Sequence, residues 1–162
     1  MAISGWFVAL LALGIVPIVV TGKPIVLVYW LLLVILLGTL DLIMAVSARS
    51  LRFERTSPDR VRLGETTSSA LRVTNPTRRR LHAIVRDGWQ PSAGAHENRV
   101  VLTVPSGERR ELTTVLTPLR RGTREAVHVT LRSYGPLRLI ARQTTVSVPG
   151  SFTVLPPFNS RK

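Results

Sequence analysis

Arginine is the residue type here that stands in groups. The sequence holds Arg78-Arg79-Arg80, Arg109-Arg110, and Arg120-Arg121 with Arg124. A guanidinium is always charged and carries five donors in a planar fork, so such groups suit phosphate, carboxylate or anionic headgroups. Other chemistry is thin. His82, His96 and His128 are isolated, and no His-x₃-His or His-Glu-x-x-His spacing would hold a metal. Glu54, Asp59, Glu65, Asp87, Glu97, Glu108, Glu111 and Glu125 mostly fall in turns or beside arginine. Those are the surroundings of solvated surface acids, not of an acid–base pair. Ser68-Ser69 lacks a nucleophile-elbow context, and there is no phosphate-binding glycine loop. Cysteine is absent, which excludes disulfides, thiol catalysis, thiolate zinc sites and iron–sulfur clusters. No catalytic, metal or cofactor-binding residue is therefore expected.

The charge is segregated along the chain. Residues 1–48 carry one lysine and one aspartate, net zero, while 49–162 carry 21 basic and 8 acidic residues, the whole +13. The neutral part holds two apolar runs, about 3–21 and 25–46, separated by Thr21-Gly22-Lys23-Pro24. As helices at about 1.5 Å per residue, each run spans roughly 30 Å, the thickness of a hydrocarbon core. A transmembrane hairpin over 1–48 is expected, its first helix kinked at Pro17. Arg49, Arg52, Arg55, Arg60 and Arg62 follow the second run, against Lys23 alone in the turn. The positive-inside rule then places both termini in the cytoplasm and the hairpin turn outside. Trp6 anchors the inner boundary on this reading, and Tyr29 and Trp30 the outer one. Asp41 lies about 25 Å along the second helix. It is expected to be interfacial and solvated, with Arg49 or a neighbouring arginine as partner.

After Leu51 the apolar period falls to two. Leu71 and Val73, Leu81, Ala83 and Val85, Leu112, Thr114 and Leu116, and Val127, Val129 and Leu131 alternate with polar neighbours, as in half-buried strands. Turn residues recur between them, at Ser57-Pro58-Asp59, Asn75-Pro76, Pro105-Ser106-Gly107, Arg121-Gly122 and Tyr134-Gly135-Pro136. Strands are expected at 50–56 with 60–63, 66–75, 80–87, 98–105, 109–117, 124–133 and 137–148. A further short strand is expected at 152–155, and the longest loop at 87–98, where Trp89 would cap the core. The fold class is thus mainly β: a two-helix transmembrane hairpin followed by an immunoglobulin-like antiparallel sandwich over 49–156, then a tail at 157–162.

Strand order directs the basic loops. If the first strand runs away from the membrane, Arg78, Arg79, Arg80, Arg109 and Arg110 return to it and join Arg49 and Arg52, while Arg120-Arg121 lies far off. Each basic residue near an anionic leaflet contributes about 1 kcal/mol. Lipid bilayer with anionic headgroups is therefore the expected contact. Nucleic acid is not expected, because Phe53, Trp89, Tyr134, Phe152 and Phe158 are too widely spaced for a stacking platform.

A short N-terminal hairpin, a β-rich domain with the turn Arg120-Arg121-Gly122, the turn Ser133-Tyr134-Gly135-Pro136-Leu137 and the exit Phe152-Thr153-Val154-Leu155-Pro156-Pro157 resemble the N-terminal part of the bacterial membrane proteins grouped as "domain of unknown function 58". The resemblance implies an inner-membrane protein and a MoxR-type AAA+ ATPase as partner. The C-terminal domain of that family, similar to a von Willebrand factor A domain, would begin about where this chain ends. Its Pro-Gly-Asp and Asp-Trp-Lys motifs have no match here, so its metal-dependent adhesion chemistry is not carried over. The expected function is a non-enzymatic, membrane-anchored scaffold or protein-interaction module. The alternative is part of a larger adhesion-type or enzymatic membrane protein whose active domain lies outside this sequence.

Overall fold

A computed structural model describes residues 2–96 and 98–157; Glu97 and most of the expected tail, including Phe158, lie outside the described residues. The apolar N-terminal part forms three helices, α1 (Gly5–Leu13), α2 (Ile15–Thr21) and α3 (Ile25–Met44). Ser4 caps α1, its hydroxyl accepting from the Phe7 N–H at 3.4 Å. Gly22, at φ 63°, ends α2 in the left-handed conformation that glycine adopts at least cost. α3 is the one helix among the described residues long and apolar enough to cross a membrane, and the stretch Gly5–Thr21 is shorter.

The helix expected to kink at Pro17 is interrupted one turn before it, at Gly14. Pro17 offers no N–H to the carbonyl four residues back, so the chain loosens in the preceding turn. The Gly14 N–H bonds the Leu11 carbonyl at 3.1 Å, a tighter i→i−3 pairing. The Trp30 indole N–H bonds the Leu10 carbonyl at 3.2 Å. The indole also lies on Gly14, where a Cβ would stand 2.3 Å from a ring carbon.

The rest is a two-sheet β-sandwich. The first sheet contains β1 (Ala2–Ile3), β3 (Arg60–Arg62), β5 (Leu81–Trp89), β7 (Arg99–Val104), β9 (Gly122–Tyr134), β10 (Ile140–Val146) and β11 (Gly150–Leu155). The second runs β2 (Arg52–Thr56), β4 (Thr67–Thr74), β8 (Arg109–Leu116), β6 (Ala95–His96). The long β9 organises the first sheet. One of its edges pairs with β5, the other with β10 towards its C-terminal end and β11 towards its start. The expected first strand divides between the sheets: β2 pairs antiparallel with β4, whereas β3 pairs parallel with β11.

Three expectations are corrected. Residue 3 lies not in a helix but in β1, which adds to β10 through Ala2↔Ala141 and Ile3↔Ile140. The loop expected at 87–98 is shorter, because β5 continues to Trp89 and β6 pairs with β8. Val127 points out, 55% exposed, because the register shifts between Gly88 and Trp89 as they pass His128 and Ala126. Such a bulge turns one residue out of alternation. A Cβ on Gly88 would meet the His128 carbonyl oxygen at 2.5 Å, so the close approach requires glycine.

Candidate functional site

Two acids expected on the surface are buried, and together they define the architecture. Asp41, on the last turns of α3, is 1% exposed. Its carboxyl oxygens accept from the backbone N–H groups of Leu137 at 2.8 Å, Leu139 at 2.8 Å and Ile140 at 3.2 Å. The expected solvated, arginine-paired Asp41 is therefore corrected. Its partners are the amides of the turn between β9 and β10. Arg138, at φ 54°, is the one non-glycine residue with positive φ among the described residues. The Arg138 N–H bonds the Gly135 carbonyl at 3.2 Å, closing the turn, and the N–H groups of Leu137, Leu139 and Ile140 are left to converge on the carboxylate. Gly135 completes the seat, because a Cβ there would stand 2.2 Å from both the Asp41 backbone oxygen and Oδ1.

Further contacts stitch the same corner. The Ser4 N–H donates to the Leu139 carbonyl at 3.0 Å, beside the β1–β10 pairing. Arg79 Nη1 donates to the Ile43 carbonyl at 3.1 Å, and Arg142 Nη2 to that of Leu42 at 3.4 Å. The unsatisfied carbonyls at the C-terminus of α3 thus find guanidinium donors. Both ends of the helical segment, Ser4 and Asp41, meet one end of the sandwich.

The basic residues singled out from the sequence gather at that end. Arg49 lies in the single helical turn Ala48–Ser50 that follows α3. Arg52, Thr74 and Arg109 form one cross-strand row, and Arg110 stands opposite Val73 in the next. Arg78, Arg79 and Arg80 belong to the loop between β4 and β5. That loop is held against the β7–β8 turn by Asn75, which is fully buried. Its Nδ2 donates to the carbonyls of Arg79, Val104 and Pro105 at 2.8, 3.0 and 3.2 Å, and its backbone carbonyl accepts from Gly107 at 2.8 Å. Asn75-Pro76 read only as a turn in the sequence. Arg120 and Arg121 precede β9 at the opposite end. Of the aromatic anchors, Trp6 and Tyr29 are exposed at 75% and 65%, while Trp30 is half-buried against Gly14.

The second buried acid, Asp87, lies inside the sandwich, which corrects its reading as a surface residue. Arg55 donates Nη1 to Oδ2 at 2.9 Å and Nη2 to Oδ1 at 2.5 Å, with both side chains almost fully buried. Trp89 Nε1 and Thr114 Oγ1 each donate to Oδ2 at 2.9 Å, and Arg55 Nε donates to the Val148 carbonyl at 3.2 Å. The Arg55 guanidinium also stacks on the Trp89 ring at 5.1 Å. This network separates two apolar clusters. Val85 and Leu112 belong to one, Trp89 and Leu116 to the other, and Asp87 and Thr114 fall between them on the same strands. Each of these side-chain oxygens and nitrogens has a partner, and the network joins the two sheets as a structural lock. His82 and His128 stand on strands and His96 on β6, and no group of three metal-ligating side chains occurs among the described residues.

No protein-family model and no curated protein matches the sequence. Solved structures do match its shape. The chain is similar to part of E. coli alpha-2-macroglobulin, with a TM-score of 0.51 and 18% identity over 66% of this chain. It is similar in the same way to Salmonella alpha-2-macroglobulin, with a TM-score of 0.51 and 19% identity over 69% of this chain. The chain spans only 7% of the length of either protein. A CARDB domain from Pyrococcus furiosus gives a TM-score of 0.48 at 14% identity, covering 71% of this chain and 92% of that one. At such identities the likeness concerns the fold alone, a β-sandwich.

Proposed function

We propose that the chain is a non-enzymatic, membrane-anchored interaction module whose sandwich lies on the cytoplasmic face of the inner membrane. One observation carries the anchor. α1 and α2 bury none of their residues, and α3 buries only Val34, Gly38 and Asp41. An apolar surface of that extent without protein cover calls for lipid. α1 and α2 cross back alongside α3 on this reading, so the protein passes the bilayer twice. The attachment of Ser4 and Asp41 to one end of the sandwich supports that arrangement. The arginines at this end, Arg49, Arg52, Arg78, Arg79, Arg80, Arg109 and Arg110, then meet anionic headgroups, and by the positive-inside rule they favour the cytoplasmic side. A MoxR-type AAA+ ATPase is the protein partner that the resemblance implies.

Two measurements test this reading. After alkaline carbonate extraction the intact chain stays in the membrane pellet; recovery as a folded species in the supernatant ends the proposal. The absence of cysteine makes orientation accessible. A membrane-impermeant maleimide labels Thr21→Cys in intact cells and Arg120→Cys only after lysis. The reverse pattern places the sandwich outside and removes a cytoplasmic ATPase as partner.

A further inference from the structure

The outer faces of the two sheets handle charge in opposite ways. On the second sheet Arg72 stands between Glu54 and Glu111 and bonds both, at 3.7 and 3.1 Å. On the first sheet Arg86 stands directly opposite Arg99 on the neighbouring strand. Arg132 is one row away, opposite Ile84. The three side chains line a single cavity of about 130 Å³ with Ile84, Thr130 and Gln143. Arg132 Nε donates to Gln143 Oε1 at 2.8 Å, but none of the three arginines has an ion-pair partner among the described residues. Like charges directly opposite each other on a sheet are destabilising. A group that tolerates this cost without a paired carboxylate among the described residues is suited to one from a partner.

The neighbouring edge supplies a second observation. β7 pairs with β5 alone among the described strands, so its other side presents unpaired backbone groups. Its exposed residues include Val101, 77% exposed, and Val100, 38% exposed. A six-residue edge strand in which four residues are apolar is a template for a further strand. Val101 shares the outer face with Arg99, two residues away.

We propose that the β7 edge binds an acidic, extended segment of a partner protein, which adds to β7 as a strand and sets a carboxylate against Arg99, with Arg86 and then Arg132 on the strands behind it adding to the positive field. Backbone pairing along β7 supplies affinity, and the arginines select acidic over neutral or basic sequence. The proposal deepens the reading as an interaction module and rests on it only for the existence of a protein partner.

The probe is a fluorescein-labelled octapeptide of alternating glutamate and valine, titrated by anisotropy against the full chain in a non-ionic detergent. The expected result is saturable binding that weakens with added salt and is absent for the lysine–valine octapeptide. R86E combined with R99E weakens binding at least about tenfold, as a like-charge clash at an interface should. The same reversal at the far end, R120E with R121E, leaves binding unchanged. Methylating alternate backbone nitrogens of the peptide abolishes it. Circular dichroism and thermal midpoints confirm that the variants are folded, and R86Q with R99Q gives an intermediate loss. The proposal is overturned if the acidic peptide fails to bind at low salt, or if the R86E–R99E chain binds it as well as the parent. Equal binding of the N-methylated peptide, or tighter binding of duplex DNA than of the peptide that is lost in R86E with R99E, overturns it as well. Loss from the membrane on carbonate extraction with peptide binding retained would refute the anchor and leave this inference standing.

Discussion

Asp41 and Asp87 are both buried acids, yet they are held by opposite means. Asp87 faces a guanidinium that is itself out of solvent, with Trp89 and Thr114 completing its shell. Asp41 has no ion-pair partner among the described residues; three backbone N–H groups of one turn close around it. The first arrangement joins two sheets inside a packed core. The second joins a helix to a turn at one end of the sandwich. A charged pair in the interior must be complete, because either half alone is a buried charge. A carboxyl group held by amides depends instead on backbone shape, here on Gly135 and the left-handed Arg138. The difference predicts which substitutions unfold the sandwich and which merely detach it.

The largest effect is expected at the pair. Asp87→Ala leaves Arg55 buried without its partner and should cost about 3–5 kcal/mol of stability. Replacing both residues by apolar ones of similar volume, Arg55→Met with Asp87→Leu, should recover much of that loss. Denaturant unfolding of the two variants in detergent decides the matter. A single Asp87→Ala as stable as the parent would show that Arg55 reaches water by another route.

At the junction the expected loss is smaller and local. Asp41→Ala removes the acceptor of three N–H groups, and each buried donor left unsatisfied costs about 1–3 kcal/mol, less wherever water enters. The sandwich core should keep its stability, while the amides of Leu137, Leu139 and Ile140 should exchange hydrogen much faster. Gly135→Ala should give the same exchange signature with the carboxylate still present, because its methyl group occupies the space of the Asp41 oxygens and pushes them off the turn. Faster exchange throughout β5 and β9 in either variant would mean that the junction and the core are one cooperative unit. A milder probe of the helices is Trp30→Phe, which keeps a ring on Gly14 but loses the bond to Leu10. It should lower the thermal midpoint by an amount equivalent to about 1 kcal/mol.

The strands were legible in the sequence because period two is a local signal. Leu71, Val73, Leu81, Ala83, Val85, Leu112 and Leu116 were all read as inward, and all are buried. The placing of the basic loops at the helix-bearing end was legible too, since it follows from counting strands. What escaped was set by distance or by misleading composition. The partners of Asp41 lie 96–99 residues along the chain and are backbone amides, which no side-chain pattern announces. Asp87 precedes Gly88, Gln90, Pro91, Ser92 and Gly94, a composition that reads as loop and concealed the last residues of β5. β1 has two residues inside an otherwise unbroken apolar run, and only the exposed edge of β10 makes it a strand.

The smallest expected effect lies at His82, which tests whether the basic surface near the junction is felt inside the folded protein. Its imidazole is held below the ordinary value of 6.5, first by burial, then by the positive charges of Arg138 and Arg80. The ring also bonds Thr103 Oγ1 at 3.1 Å through Nδ1. A folded pKa below the unfolded one means that unfolding takes up a proton. Stability is therefore at its plateau above about pH 6.5 and declines as the pH falls from there towards the lowered folded value. His82→Gln should flatten that decline in a series of denaturant curves. The parent chain then distinguishes the causes. Arg138→Gln and Arg80→Gln should each bring the imidazole only part of the way back, since burial is the larger cause, and added salt should reduce the arginine contribution but not the burial contribution. An imidazole fully restored to its ordinary value by removing Arg138 alone, followed by NMR titration, would show instead that charge dominates on this face and that the ring is more open to water than its packing implies.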